Sequence, residues 1–275
     1  MNRNFFGIAA LVTSVVVAFC GAPALAADMP IKAPPMAPVM APAYNWTGFY
    51  LGGNVGAERQ TDPGTSNWFQ ALGVGAGLTN NPQPNSLTGN SIIGGVQAGY
   101  NWQISQWMLG VEGDWDWAHS NPGFCRQTDA GSAPCSDNGR GFVTLNSNSD
   151  WIATVRGRLG YAWDRYLIYG TGGAAFGRIE TSINANCLVG GCGVSAFLLN
   201  TTGNFSDTKT GWVAGGGVEA MLTQNWLVRV EYLHIDFGTL NNTLNLVGTG
   251  GGAQSASWSR SERYDVVRTA LSYKF

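Results

Sequence analysis

Asp114 and Asp116 stand two residues apart in the run Asp114-Trp115-Asp116-Trp117. On a β-strand such residues point the same way. Two carboxyls side by side could do acid–base work, provided nothing opposite neutralises them. Gly215-Gly216-Gly217 could cradle a phosphate, but the Lys-Ser/Thr pair and helix start of a phosphate loop do not follow it. Four cysteines fall into two close pairs, Cys125 with Cys135 and Cys187 with Cys192. Four cysteines allow three connectivities, and proximity favours these two local disulfides. The rival is a metal site, but paired C-x-x-C spacing is missing, and His119 and His234 lie far apart. No Ser-His-Asp or Cys-His arrangement stands out. The residues point to no catalytic site, no metal and no cofactor.

Whether the acids act depends on the elements that carry them. Eight segments of period-2 alternation, bounded by turn residues, lie near 46–57, 91–102, 106–117, 149–163, 165–179, 209–222, 225–237 and 262–275. Each is long enough to cross an outer membrane as a tilted strand, which takes about 9–11 residues. The second and third are joined by Gln103-Ile104-Ser105, the fourth and fifth by Asp164, and the sixth and seventh by Thr223-Gln224. The other connections, 58–90, 118–148, 180–208 and 238–261, are long and polar. Short turns on one side and long loops on the other are the topology of an outer-membrane barrel. The expected fold is therefore all-β: an eight-stranded antiparallel transmembrane barrel.

The faces agree with this. Trp107, Leu109, Val111, Trp115 and Trp117 alternate with Glu112, Asp114 and Asp116. Trp151, Val155, Leu159, Tyr161 and Trp163 alternate with Arg156 and Arg158. Trp212, Val218 and Leu222 oppose Glu219, and Val267, Leu271, Tyr273 and Phe275 oppose Arg268. The apolar face belongs to lipid and the charged face to the lumen, the reverse of a soluble barrel. The fifth segment alternates too poorly for its faces to be read. An eight-stranded barrel is just wide enough to be filled by side chains. Buried charges persist only when paired. The inward set Glu112, Asp114, Asp116, Glu219 and Glu231 against Arg156, Arg158, Arg229 and Arg268 therefore predicts a lumen charge network, the acids of the third segment meeting the arginines of the fourth. A narrow polar channel lined by the same residues is the alternative. Two aromatic girdles are expected. Trp102, Trp107, Trp163, Tyr166, Trp226 and Phe275 sit beside the short turns; Trp115, Trp117, Trp151, Trp212 and Phe237 sit near the long loops.

The ends supply the compartment. Arg3, an apolar run from Phe5 to Cys20, and Ala24-Leu25-Ala26 have the order of a secretory signal over residues 1–26, cleaved between Ala26 and Ala27. Residues 27–45 read as a Pro/Ala-rich periplasmic linker, and 46–275 as the barrel. The formal net charge is −2, and loss of Arg3 leaves it one unit more negative. A chain without a basic face is a poor nucleic-acid partner. The expected location is the cell outer membrane. The partners would be its lipid, lipopolysaccharide, and the assembly machinery that reads a terminal aromatic strand ending Tyr273-Lys274-Phe275.

Tyr44-Asn45-Trp46-Thr47-Gly48-Phe49-Tyr50-Leu51-Gly52-Gly53 and Trp151-Ile152-Ala153-Thr154-Val155-Arg156-Gly157-Arg158-Leu159-Gly160-Tyr161 resemble motifs of the porin-like outer-membrane immunogenic proteins of alpha-proteobacteria. Tyr169-Gly170-Thr171-Gly172-Gly173, Gly215-Gly216-Gly217-Val218-Glu219 and Glu231-Tyr232-Leu233 match in the same order. The resemblance implies an abundant, surface-exposed, often antigenic barrel that supports envelope integrity, and it brings no catalytic residues. A diffusion channel and an adhesin acting through the long loops are the competing functions, and an outer-membrane enzyme is disfavoured. The loops name no external ligand.

Overall fold

The computed structural model describes residues 44–66, 83–84, 87–120, 123–127, 142–187, 199–247 and 253–275. The expected signal segment, and all of the expected linker except Tyr44 and Asn45, lie outside the described residues. Eight long strands form a ring: β1 Gly48–Asp62, β2 Leu87–Ile104, β3 Trp107–Ser120, β4 Phe142–Trp163, β5 Tyr166–Cys187, β6 Leu199–Met221, β7 Trp226–Val247 and β8 Ala253–Lys274. Each pairs antiparallel with its sequence neighbours, and β1 closes on β8 from Tyr50↔Lys274 to Thr61↔Arg263. The fold is an outer-membrane β-barrel.

The short connections are tight turns at one end. Ser105 and Asp164 adopt the left-handed region at φ 57° and 53°, which small polar side chains tolerate best among non-glycine residues. At the other end the strands run further than alternation alone suggested. β4, β5 and β7 each have 22 residues, about twice what a bilayer requires. Much of 58–90, 118–148, 180–208 and 238–261, expected as loop, is therefore paired strand.

Outward residues show where the bilayer lies. On β8 Val267, Leu271 and Tyr273 are exposed, as are Phe275 just past its end and Leu51 and Val55 on β1. Beyond them the outward positions become Arg59, Arg263 and Asp265. Among the described residues, the wall above that level splits. The β2–β3 register ends at Ile93↔Ala118, and the β6–β7 register ends at Trp212↔Asp236. These two seams lie opposite each other in the ring. Between them, β4, β5 and β6 stay paired up to Phe142↔Asn186 and Cys187↔Leu199, with Gly123–Gln127 added on β4. On the other side β7 and β8 stay paired up to Val247↔Ala253, and Gly64–Ser66 adds to β8. One closed barrel at the membrane thus becomes two facing half-walls outside it. The β7 strand is turned at the split by a bulge between Asp236 and Thr239. Gly238 sits there at φ 76°, where only a glycine is free of strain.

Candidate functional site

The lumen is filled in four layers, each set by the inward positions of successive strand residues. At the floor, the end with the short turns, Trp46, Tyr50, Met108, Leu167, Tyr169, Met221 and Leu227 form an apolar cluster. Trp46 is fully buried. Its amide donates to Gln103 Oε1 at 2.8 Å, and Lys274 Nζ donates to the Asn45 carbonyl at 2.6 Å. The residues before β1 are thereby tied across the barrel end.

Above the floor lies the ionic layer. Three ion pairs are direct register partners: Glu112↔Arg156, Glu219↔Arg229 and Glu231↔Arg268. Arg156 Nη2 approaches Glu112 Oε1 at 2.5 Å and Asp114 Oδ2 at 3.3 Å, while its Nη1 lies 3.1 Å from Glu231 Oε1. Arg158 Nη2 lies 2.5 Å from Glu219 Oε2. Its Nη1 donates to the Tyr50 hydroxyl at 2.8 Å, and its guanidinium stacks 4.0 Å from the centre of the Tyr169 ring. Arg229 Nη1 lies 2.7 Å from Glu112 Oε2. Arg268 crosses the lumen, with Nη1 at 2.6 Å from Asp114 Oδ1 and 2.5 Å from Asp116 Oδ2, and Nη2 at 2.8 Å from Glu231 Oε2. All nine residues are buried. The five carboxylates exceed the four guanidinium groups by one; neutral donors add to several of their oxygens, and Glu219 Oε1 is buried without a partner. Asn54 donates to Asp116 Oδ1 at 2.8 Å, Tyr50 to Glu112 Oε2 at 2.5 Å, and Thr154 to Asp114. The Asp114–Asp116 pair thus meets guanidinium, amide and hydroxyl groups, and each of its four oxygens has a partner that occupies it.

Next comes an apolar layer of Ile93, Ile152, Ala175, Val213, Leu233, Ile235, Phe237, Tyr264 and Val266. Phe237, expected in the outer girdle, belongs here: it is buried, edge-on to Tyr264 with ring centres 5.7 Å apart. Strict alternation after the outward-facing His234 and Asp236 turns it inward. Above it is a second polar cluster, unforeseen because its residues fall in or beside segments read as loop. Gln60 Nε2 donates to Asp62 Oδ2 at 2.7 Å and to Glu262 Oε2 at 3.1 Å. Arg260 pairs with Glu262 and donates to Ser147 Oγ at 3.0 Å. Continued period-2 spacing in Glu58-x-Gln60-x-Asp62 and Arg260-x-Glu262 was the available signal. Asp62 lies beyond the apolar band. Burial, and then the Glu262 carboxylate beside it, push its carboxyl up to about 8, against the pull of Arg260.

The strand-three acids reach both Arg156 on β4 and the distant Arg268, so the predicted pairing is shared across the lumen. The fifth strand now has faces: Leu167, Tyr169 and Thr171 are buried, Ile168 is exposed. Trp102, Trp107, Trp115, Trp117, Trp163, Trp212 and Trp226 are exposed on the outer wall. Trp151 is half-buried because it stacks on Trp115 at 4.4 Å. Tyr273 meets Trp226 at 5.3 Å and Phe275 at 5.2 Å. Cys135 and Cys192, and the side chains of Cys125, Cys187 and His119, lie outside the described residues, and with them both expected disulfides.

Residues 12–258 match the family model described as the outer membrane protein beta-barrel domain. The chain is 31% identical over 277 aligned residues to the 31 kDa outer-membrane immunogenic protein of Brucella melitensis, covering 96% of this chain and 99% of that protein. It is 29% identical to the 22 kDa outer membrane protein of Rhizobium leguminosarum, over 85% of this chain and 80% of the relative. Among solved structures, the outer membrane protease OmpT of Escherichia coli aligns over 86% of this chain and 99% of its own, at 11% identity and a TM-score of 0.45.

Proposed function

The chain belongs to the outer membrane protein beta-barrel domain family, and from that premise we propose that it is a structural, surface-exposed barrel with a closed lumen. Its task is to span the outer membrane, support the envelope and display its extracellular half. It contacts membrane lipid along the apolar band and lipopolysaccharide in the outer leaflet. The assembly machinery engages its C-terminal strand. No catalytic step is assigned to it.

The observation that carries this reading is the stacking of the lumen. A continuous water path must pass both an ionic layer cross-linked between five strands and the apolar layers on either side. Each guanidinium of the ionic layer contacts more than one acceptor or ring, so no single rotamer change frees a passage. A hydrated solute crossing the Leu233–Ile235–Tyr264 layer would lose its water without finding replacement partners, which costs several kcal/mol per polar group, as an order of magnitude.

Pure refolded protein in planar bilayers tests the reading. It predicts a silent membrane, with at most rare and irregular events. Large, stable conductance steps would overturn it in favour of a diffusion channel. Loss of cell binding on deleting extracellular segments from an otherwise intact envelope would instead make adhesion the function.

A further inference from the structure

The β6–β7 seam is open above Trp212↔Asp236, and the opening contains a cavity of about 290 Å³. Its floor is apolar: Ile179 and Leu240 are buried, and the Phe205 ring stands edge-on to Trp258 with centres 5.3 Å apart. Its rim is made of Asn204, Ser206, Asn241 and Asn242, with Asp207 and Lys209 paired to each other, and Thr181 lies buried behind them. The lining is therefore rich in amides and hydroxyls and carries no net charge. Among the described residues, the strand edges flanking it, residues 199–211 of β6 and 239–247 of β7, have ladder partners on one side only. Backbone donors and acceptors thus face the opening as well.

We infer that this lateral cleft is a saccharide site that holds neutral sugar units of outer-leaflet lipopolysaccharide. The inference rests on the barrel standing in the outer membrane with lipopolysaccharide beside it. Planar amides and hydroxyls that can both donate and accept suit sugar hydroxyls, and an apolar floor with an aromatic ring suits the sugar's C–H face. An uncharged lining gives little to a phosphate or a cationic peptide. The position agrees: the cleft begins one step above the outward Trp212 and opens sideways, into the layer where lipid-borne sugars lie. An extended peptide is the poorer occupant. β6 and β7 are antiparallel, so one inserted strand must run parallel to one of the two edges, the weaker pairing.

The test uses the full mature chain refolded in detergent and oligosaccharide released from purified lipopolysaccharide by mild acid, free of its lipid. Saturation-transfer NMR should show sugar signals receiving magnetisation from the protein. The double variant Asn204→Ala/Asn242→Ala should weaken binding at least tenfold while its heat-modifiable gel shift is unchanged. In the wild-type protein the side-chain amides of Asn204 and Asn242 should move during the titration, a readout that needs no substitution. Absence of transfer, unmoved amides, or equal binding by the folded variant would overturn the inference. So would displacement of the sugar by an unglycosylated extended peptide. Each of these outcomes leaves the gel shift and the silent bilayer intact, so the structural-barrel reading stands or falls separately.

Discussion

Glu112 on β3 and Arg156 on β4 face each other in the ladder, and the guanidinium donates to the carboxylate at 2.5 Å with neither side chain exposed. Such a pair is hard to lose by halves. Arg156→Ala leaves Glu112, Asp114 and Glu231 with a buried charge uncompensated, at a cost of about 3–5 kcal/mol. Replacing both partners by apolar residues, Glu112→Met with Arg156→Leu, should cost less than the single change, because an acid and a base leave the layer together and its charge balance is kept. Urea unfolding of the refolded barrels, followed by gel shift, gives the comparison. A double variant less stable than Arg156→Ala would contradict it.

Trp46 lies fully buried below the same layer. Truncation to alanine removes a large ring from a closed apolar floor and should destabilise by about 3–5 kcal/mol. It should not open a pore, because the Arg268 bridges and the Leu233–Ile235–Tyr264 layer lie beyond it. A stability loss with a silent bilayer is the expected combination. Steady conductance from Trp46→Ala would show that the floor alone seals the lumen.

Where one face was uniformly apolar and the other charged, as in Trp107–Trp117, the sequence made the strand and its orientation plain. β5 resisted reading because Tyr169 is an aromatic residue that belongs inside, where its hydroxyl donates to Glu231 at 2.7 Å. Side-chain polarity at a single atom decides its direction, and hydrophobic period is blind to that. The Arg268–Asp116 bridge joins residues 152 positions apart and depends on ring closure, so no local spacing announces it. The outer polar cluster was missed because Gly, Asn and Ser in the neighbouring segments suggest loops, whereas the ladder continues through them. Nothing in a linear pattern marks the two open seams, since they arise where partner strands stop matching in length or, at Gly238, bulge.

Asp62 gives the extracellular half a pH dependence. Its carboxyl is pushed up to about 8 in the folded barrel, against about 3.9 when unfolded. Between those values the folded state holds a proton that the unfolded chain has released. Stability from this group therefore falls as pH rises through the window. Asp62→Asn should remove that slope: the drop in urea midpoint between pH 6 and pH 9 should shrink by about half or more relative to wild type, with the larger gain at pH 9. An unchanged drop would mean that Asp62 is already charged in the folded state.

Phe275 is joined to both ends of the barrel wall. Its amide donates to the Phe49 carbonyl at 2.9 Å, and its ring lies 5.7 Å from that of Phe49 and 5.2 Å from that of Tyr273. The ring is 69% exposed on the outer wall, so in the finished barrel it loses little by removal: an exposed side chain contributes a fraction of the 1.5–3 kcal/mol that full burial would bring, as an order of magnitude. The same exposure makes it available to a recognising surface before the barrel closes. Deleting Phe275 should leave the urea midpoint of protein refolded in detergent within about 1 kcal/mol of wild type. In cells it should reduce the heat-modifiable outer-membrane form several-fold. Surface labelling and gel shift of membranes from expressing cells measure the second quantity. Normal surface levels would exclude an assembly role for the terminal ring. Equal losses in detergent and in cells would reassign it to closing the β1–β8 seam.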